Sequence, residues 1–272
     1  MAKGAELPTI DQIRDMAEDF GIEMPEEDAG AYRNLMKGPM ASYRMLEEIP
    51  EWRPEQKYPR NAGYRPSAEE NPYNGWYWRC NIEGAKSGIL KGYDIGIKDP
   101  ICVAGIPLMN GTRMLEGFIP DIDATLVTRI LDAGGTIAGK TTTEDCSFSA
   151  GGHTSSLGPI RNPHRPTHSP GGSSGGSGVV VGAGDVKMAI GGDQAGSIRL
   201  PASRCGIVGL KPTFGLVPYT GAVMIEMTLD TLGPMCDTVE NTARLLTAIA
   251  GPDPMDPRQR GVIPDDYVQD YM

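Results

Sequence analysis

Three stretches of the chain hold residue types able to break or transfer bonds. Gly134 to Thr141, read as GGTIAGKT, satisfies the GxxxxGK[ST] spacing of a phosphate loop. Such a loop follows a strand and opens a helix, so that main-chain N–H groups converge on phosphate. Here a helical pattern comes first and the run itself favours strand. Gly134-Gly135 therefore reads as a helix stop, and Lys140 as the residue after a strand. Gly171-Gly172-Ser173-Ser174-Gly175 fits the GxSxG elbow of α/β-hydrolases, whose histidine comes later in the chain than its serine. His153, His164 and His168 all come earlier, which removes that mechanism. Their spacing, in a segment rich in Pro, Ser and Gly, is also a poor zinc pattern. The third stretch is Lys98 in GIKDP, at the end of an apolar run. A lysine kept neutral by burial can act as base toward a serine. Standing alone, Lys98 reads as a snorkelling side chain paired with Asp99.

The elements that must position these groups are short and alternate in type. Thr9 and Gln12 form a capping-box pattern before Ile10, Ile13, Ala17 and Phe20, a helix that Gly21 ends. A second helix is expected over residues 27–48, broken or kinked at Gly38-Pro39. Residues 50–75 are polar and proline-rich, a linker or wrapping arm. GYDIGIKDPICVAGI, residues 92–106, reads as a pair of short strands. DATLVTRILDAGG reads as a helix with Leu126, Val127, Ile130 and Leu131 on one face. TIAGK, VKMAIGG and GIVGLKP read as strands. TVENTARLLTAIAG reads as a helix capped by Thr238 and stopped by Gly251. Short strands alternating with helices give an α/β sheet with helices on its faces. The domains expected are a helical extension and linker over 1–75 and a core over 76–272.

Residues 169–203 combine dense Gly and Ser with Val179-Val180-Val181 and Met188-Ala189-Ile190. A flexible linker explains the glycines but not the valines. The chain of 272 residues has 36 Gly and 23 Pro and a formal net charge of −10. That charge argues against nucleic acid and against an anionic membrane surface. Five cysteines without a CxxC pair suggest a reducing compartment with mostly buried thiols. There is no apolar run long enough to span a bilayer and no apolar stretch after the N-terminal Met, so a cytoplasmic location is expected.

In order, GIKDP, GPIRNPHRPTHSPGG, PGGSSGG, GGDQAGSIRLPAS and CGIVGLKPTFGLVP resemble the amidase signature family over about residues 85–250. Ser173 and Ser197 stand 24 residues apart within that set. GGDQAGS and the helical extension look most like broad-specificity amidases of nitrile degradation. The resemblance implies a mixed central sheet covered by helices on both faces. It implies Ser197 as nucleophile, Ser173 as bridging serine on a cis peptide bond, and Lys98 as base. It implies the N–H groups of Gln194, Ala195, Gly196 and Ser197 as oxyanion donors. Ser147 falls where the family has substrate-facing backbone. Ala195 stands where glycine is commoner, and would be strained if that backbone needs a positive φ.

No metal or organic cofactor is implied, and the partner is a small-molecule amide. Members of the family continue beyond the last strand–helix unit seen here, so the resemblance implies a core incomplete at its C-terminus, where the chain reads DDYVQDYM. A sheet edge left without partners would favour association, a homodimer included. Three readings follow: an amidase, an amidotransferase-type subunit that hydrolyses glutamine within a complex, and an inactive truncated product.

Overall fold

The computed structural model describes residues 4–51, 53–259 and 271. The chain divides into two compact units, Met1–Arg53 and Pro54–Met272. In the first, helix α1 (Ile10–Asp19) carries the expected capping box, and Gly21 follows it in a left-handed conformation. Helix α2 (Glu26–Glu48) runs unbroken through Pro39. Proline removes the hydrogen bond to the carbonyl four residues back. That carbonyl belongs to Leu35, which is 74% exposed, so water can satisfy it.

Residues 54–75 fall with the second unit. Tyr58 Oη donates to Asp132 at 2.7 Å, Arg60 pairs with Asp123, and Tyr64 bridges Arg79. The arm wraps; it does not link.

One mixed sheet organises this unit. Its strands are β1 (Trp76–Glu83), β2 (Asp94–Lys98), β3 (Thr136–Thr141), β4 (Met188–Asp193), β5 (Val208–Gly209) and β6 (Thr231–Cys236). Their order is β1-β3-β2-β4-β6-β5. The central three are parallel, and the outer pairings are antiparallel. Alternation along each strand sends successive side chains to opposite faces. Ile95, Ile97, Ile137, Met188, Ile190, Leu232 and Cys236 pack with helices α3 (Thr125–Asp132) and α6 (Val239–Ile249). Ala138 and Ala189 pack on the other face against Val180 and Val181 of helix α4 (Gly175–Gly182). Met235 meets Ile198 and Ala202 there, beside helix α5 (Arg199–Cys205). Helices thus cover both faces, as expected.

Two expectations need correction. Residues 92–106 supply one strand and not two. Ile101 N–H donates back to the Lys98 carbonyl, so the chain turns at Asp99-Pro100, and Ile101 forms only an isolated bridge to Ala222. Strands β1 and β6 were not anticipated. β1 is irregular, with two register shifts against β3. β6 contains Gly233-Pro234, breakers that argue against a strand. Its neighbour β5 pairs with only Met235 and Cys236, so the N–H missing from Pro234 interrupts no ladder on that side.

The fit of α4 to the sheet is close at Gly176, whose N–H donates to the Thr142 carbonyl at 3.0 Å. A Cβ there would lie 2.3 Å from that oxygen and 2.5 Å from Thr142 N. Gly176→Ala should destabilise the fold by about 3 kcal/mol or more, seen as a lowered thermal midpoint. An unchanged midpoint would show that α4 can stand off β3 without loss.

Candidate active site

Lys98 is the last residue of β2 and shares with Gly96 the face on which α4 lies, opposite Ile95 and Ile97. Its side chain is 1% exposed, and its Nζ donates to Ser173 Oγ at 2.8 Å. Among the described residues no carboxylate lies within 4.0 Å of that amine. The Asp99 pairing that Lys98 would suggest if read alone is therefore not made. Asp99 turns instead to Lys140, whose Nζ donates to the Asp99 carbonyl at 2.7 Å and lies 3.4 Å from Oδ1. Lys140 stands inside β3 and is fully buried. That disposes of the phosphate-loop spacing: its glycines end α3 and its lysine is a structural cation.

Ser173 follows a cis Gly172–Ser173 peptide and is fully buried. Its carbonyl accepts from Thr143 Oγ1 at 2.9 Å. Serines next in line fasten the helix that Ser173 precedes. Ser174 Oγ both donates to the Gly192 carbonyl and accepts from its N–H, each at 3.1 Å. Ser177 Oγ donates to the Ile190 carbonyl at 2.9 Å and contacts Thr141 Oγ1 at 2.7 Å. The density of Gly and Ser thus has a physical use: glycines let α4 approach the sheet, and serine hydroxyls bond it there.

Ser197 lies at the start of the turn into α5 and is half-buried. Its carbonyl accepts from Ser174 N–H at 3.3 Å, which joins the two serine-bearing segments. Among the described residues its hydroxyl has no hydrogen-bond partner. Lys98 and Ser173 are therefore in direct contact, while Ser197 is brought alongside through the main chain.

The loop from Gln194 to Ser197 is shaped by Asp193. This carboxylate accepts from Gly196 N–H at 2.8 Å, Ile198 N–H at 3.0 Å, and Arg199 Nε and Nη2 at 3.0 and 2.9 Å. Burial would push its pKa up, but the guanidinium and the two N–H groups hold it below the usual carboxylate range. One expected oxyanion donor is corrected here: the Gly196 N–H is taken by Asp193. The N–H groups of Gln194, Ala195 and Ser197 have no acceptor among the described residues. Ala195 is not in a left-handed conformation. Gly196 is, with φ 130°, so the position that needs glycine is the next one.

A cleft of about 290 Å³ opens over Ser197, with Ser147, Gln194 and Ala195 in its lining and Phe148, Leu200, Ile225 and Leu229 as apolar walls. A larger hollow of about 550 Å³ lies on the first unit, among Asp11, Arg14, Asp15 and Glu18, and none of the serines singled out above lines it. Ser147 has φ 55° and its Oγ donates to Asn110 Oδ1 at 2.7 Å. Glu144 holds the same stretch by accepting from Gly152 N–H, Thr154 N–H and Thr154 Oγ1. Sequence reading missed Asn110, Thr143, Glu144 and Asp193 as supports. A signal existed: the run Lys140 to Glu144 is polar at and just beyond the end of the apolar β3, and in the fold all five residues are buried. Among the described residues no cluster of three or more His, Cys, Asp or Glu could hold a metal, and no helix is long and apolar enough to cross a membrane. All five cysteines are free. Cys205 and Cys236 are buried and the other three half-buried.

The family model described as Amidase matches residues 77–271. The chain belongs to the Amidase family. This amidase-family chain is 44% identical over 255 residues to the enantioselective amidase of Rhodococcus rhodochrous, a match covering 92% of the chain and 48% of that relative. It is 46% identical over 184 residues to a glutamyl-tRNA(Gln) amidotransferase subunit of Haloarcula marismortui, covering 68% of the chain and 43% of the relative. The native peptide amidase of Stenotrophomonas maltophilia superposes with a TM-score of 0.63 at 43% identity, over 66% of this chain and 38% of that one. The chain spans less than half the length of these relatives.

Burial pushes the Lys98 pKa down from an ordinary 10.5 to about 7, against the opposing charges of Asp193, Asp230, Glu144 and Asp99. The folded value thus lies below the unfolded one. Between about 7 and 10.5 the unfolded chain holds the extra proton, and stability climbs as pH rises. Below that window both states are protonated and the penalty is constant. Lys98→Met removes the penalty. Its thermal midpoint should exceed that of wild type most near pH 7 and progressively less toward pH 10. A gap that does not change with pH would mean the amine is not depressed.

Proposed function

We propose that the chain carries the catalytic machinery of an amidase, which hydrolyses carboxylic amides to carboxylate and ammonia through an acyl-enzyme. The observation that carries this is the buried Lys98–Ser173 hydrogen bond with no carboxylate on the amine. In the neutral form the Lys98 nitrogen can accept the Ser173 proton. Ser173 then takes the proton of Ser197, whose Oγ bonds to the amide carbonyl carbon. The oxyanion that forms is held by the N–H groups of Gln194, Ala195 and Ser197. The proton returns through Ser173 to the leaving nitrogen, the C–N bond breaks, and ammonia departs. Water then hydrolyses the ester by the same route. The outer hand-off, between the two hydroxyls, closes when substrate occupies the cleft, as catalytic hydrogen bonds commonly do.

The relatives support this reading over the amidotransferase one. A match covering 92% of the chain must take in part of the helical first unit, whereas one covering 68% need not. The proposal is of a cytoplasmic enzyme acting on small-molecule amides without metal or organic cofactor, free or as a homodimer.

Ammonia release from a panel of aliphatic and aromatic amides tests it. Ser197→Ala should lower kcat by about 10⁴-fold or more. For wild type, kcat/KM should rise with pH through a midpoint near 7, as Lys98 loses its proton. Activity that survives loss of the Ser197 hydroxyl, or a rate flat from neutral into acid, would overturn the assignment. Ammonia transfer seen only with added partner proteins and glutamine would favour the amidotransferase reading.

A further inference from the structure

When the relay fires, Lys98 becomes an ammonium ion in a site sealed from water. A buried cation needs a counter-charge, and none lies within ion-pair distance of its Nζ among the described residues. Four carboxylates act on it from the surrounding elements: Asp193 at the end of β4, Asp230 before β6, Glu144 after β3, and Asp99 after β2. Three are already occupied. Asp193 is bound by Arg199 and by the Gly196 and Ile198 N–H groups. Glu144 is bound by Gly152 and Thr154. Asp99 is paired with Lys140 and also accepts from the Met109 N–H.

Asp230 differs. It is fully buried; its Oδ2 accepts from the Ile225 N–H at 2.8 Å, and its Oδ1 has no hydrogen-bond partner among the described residues. The Tyr219 hydroxyl also lies near the Asp230 carboxylate, but its donated hydrogen bond within 3.5 Å goes to the Val223 carbonyl, at 3.3 Å. Burial, then the Asp230 charge, and last a weak hydrogen-bonding contribution from Asp230 push the pKa of that phenol up, against the Arg258 charge. Arg258 is directed to the Asp230 main-chain carbonyl, at 2.8 Å, while its guanidinium is paired with Asp256. The ladder places Asp230 beside the relay: the next residue, Thr231, pairs with Asp193, and Leu232 pairs with Gly192. A Cβ on Gly192 would sit 3.5 Å from Lys98 Nζ.

We propose that Asp230 is a positioning residue of the relay: its unpartnered oxygen supplies the counter-charge for the Lys98 ammonium, while its other oxygen holds the Ile225 side of the cleft wall. This rests on Lys98 acting as base. It gives one carboxylate two duties, so the charge that stabilises the transient cation also fixes the edge of the cleft where substrate sits.

The test reads the amine directly, so it stands apart from whether amides are hydrolysed. Lysine side chains are labelled with ¹³C at Cε and titrated by NMR, with the Lys98 signal assigned by its loss in Lys98→Met. Asp230→Asn keeps an acceptor for Ile225 and removes the charge. Its Lys98 midpoint should fall below the wild-type value by about 1 pH unit or more, and the acid limb of kcat/KM should move to lower pH with it. Asp230→Ser, smaller and also able to accept from Ile225, reads the same shift if asparagine is not tolerated. Leu229→Ala, which changes the wall alone, should leave the midpoint in place. A neutral variant with an unmoved midpoint overturns the proposal, as does a Leu229→Ala shift as large as that of Asp230→Asn. An altered KM with an unmoved midpoint would leave Asp230 only its wall contact.

Discussion

The structure of the second unit turns on one uncompensated amine. Lys98 is sealed within the α4 side of the sheet with a neutral hydroxyl as its hydrogen-bond partner. Burying a protonated lysine without a paired carboxylate is costly, and the group responds by giving up its proton readily. What would be a defect in a purely structural core is, in the proposed mechanism, a base matched to neutral pH. The neighbouring lysine shows the contrast. Lys140, one strand over, is equally buried but paired with Asp99, and burial pulls both of them toward their neutral forms. Thr141, adjacent to Lys140, faces Ser177 of α4, so by strand alternation Lys140 points to the opposite side of the sheet from Lys98. The sheet itself keeps the ion pair away from the relay.

Bringing a serine to that amine requires a helix that starts almost on top of the strands. The chain meets this with glycines where Cβ atoms would strike main chain, as at Gly176, and with serines whose hydroxyls replace the missing side-chain contacts. The valines of α4 then bury against Ala138 and Ala189, and their contribution holds the polar contacts in register. The second serine is delivered differently. Asp193 ends β4 and gathers the following N–H groups around itself, so the loop that bears Ser197 takes its shape from a carboxylate one turn away.

Much of this was readable in the residues. Helices α1, α3 and α6 announce themselves by periodicity and caps, and β2 to β5 by short apolar runs. Lys98 drew notice by an apolar setting for a charge and Ser173 by its glycine-rich turn, but taken alone they read as a snorkelling lysine and a hydrolase elbow without its histidine; their roles came with the resemblance. Ser197 had no local signal at all and became legible only through the resemblance of its whole segment. What escaped reading depends on partners distant in sequence. β6 is a strand despite Gly233-Pro234 because β4 supplies a full ladder on one side. The pairing of Asp99 with Lys140 spans 41 positions, and no local rule prefers it to the adjacent Lys98. The withdrawal of the Gly196 N–H by Asp193 needed coordinates, since spacing alone gives every main-chain N–H of that loop equal standing.

The exposures of the three groups run in sequence: Lys98 and Ser173 are shut in, and Ser197 is half open to the cleft. The amine has no face of its own on the solvent. In the proposed relay, a proton passing between the amine and bulk water would go by way of the two hydroxyls, which would make them a conduit as well as reactants. With the inner hydroxyl deleted, the amine would lose its hydrogen-bonded neighbour in that line, and its exchange with water would then be paced by local opening of α4 from the sheet.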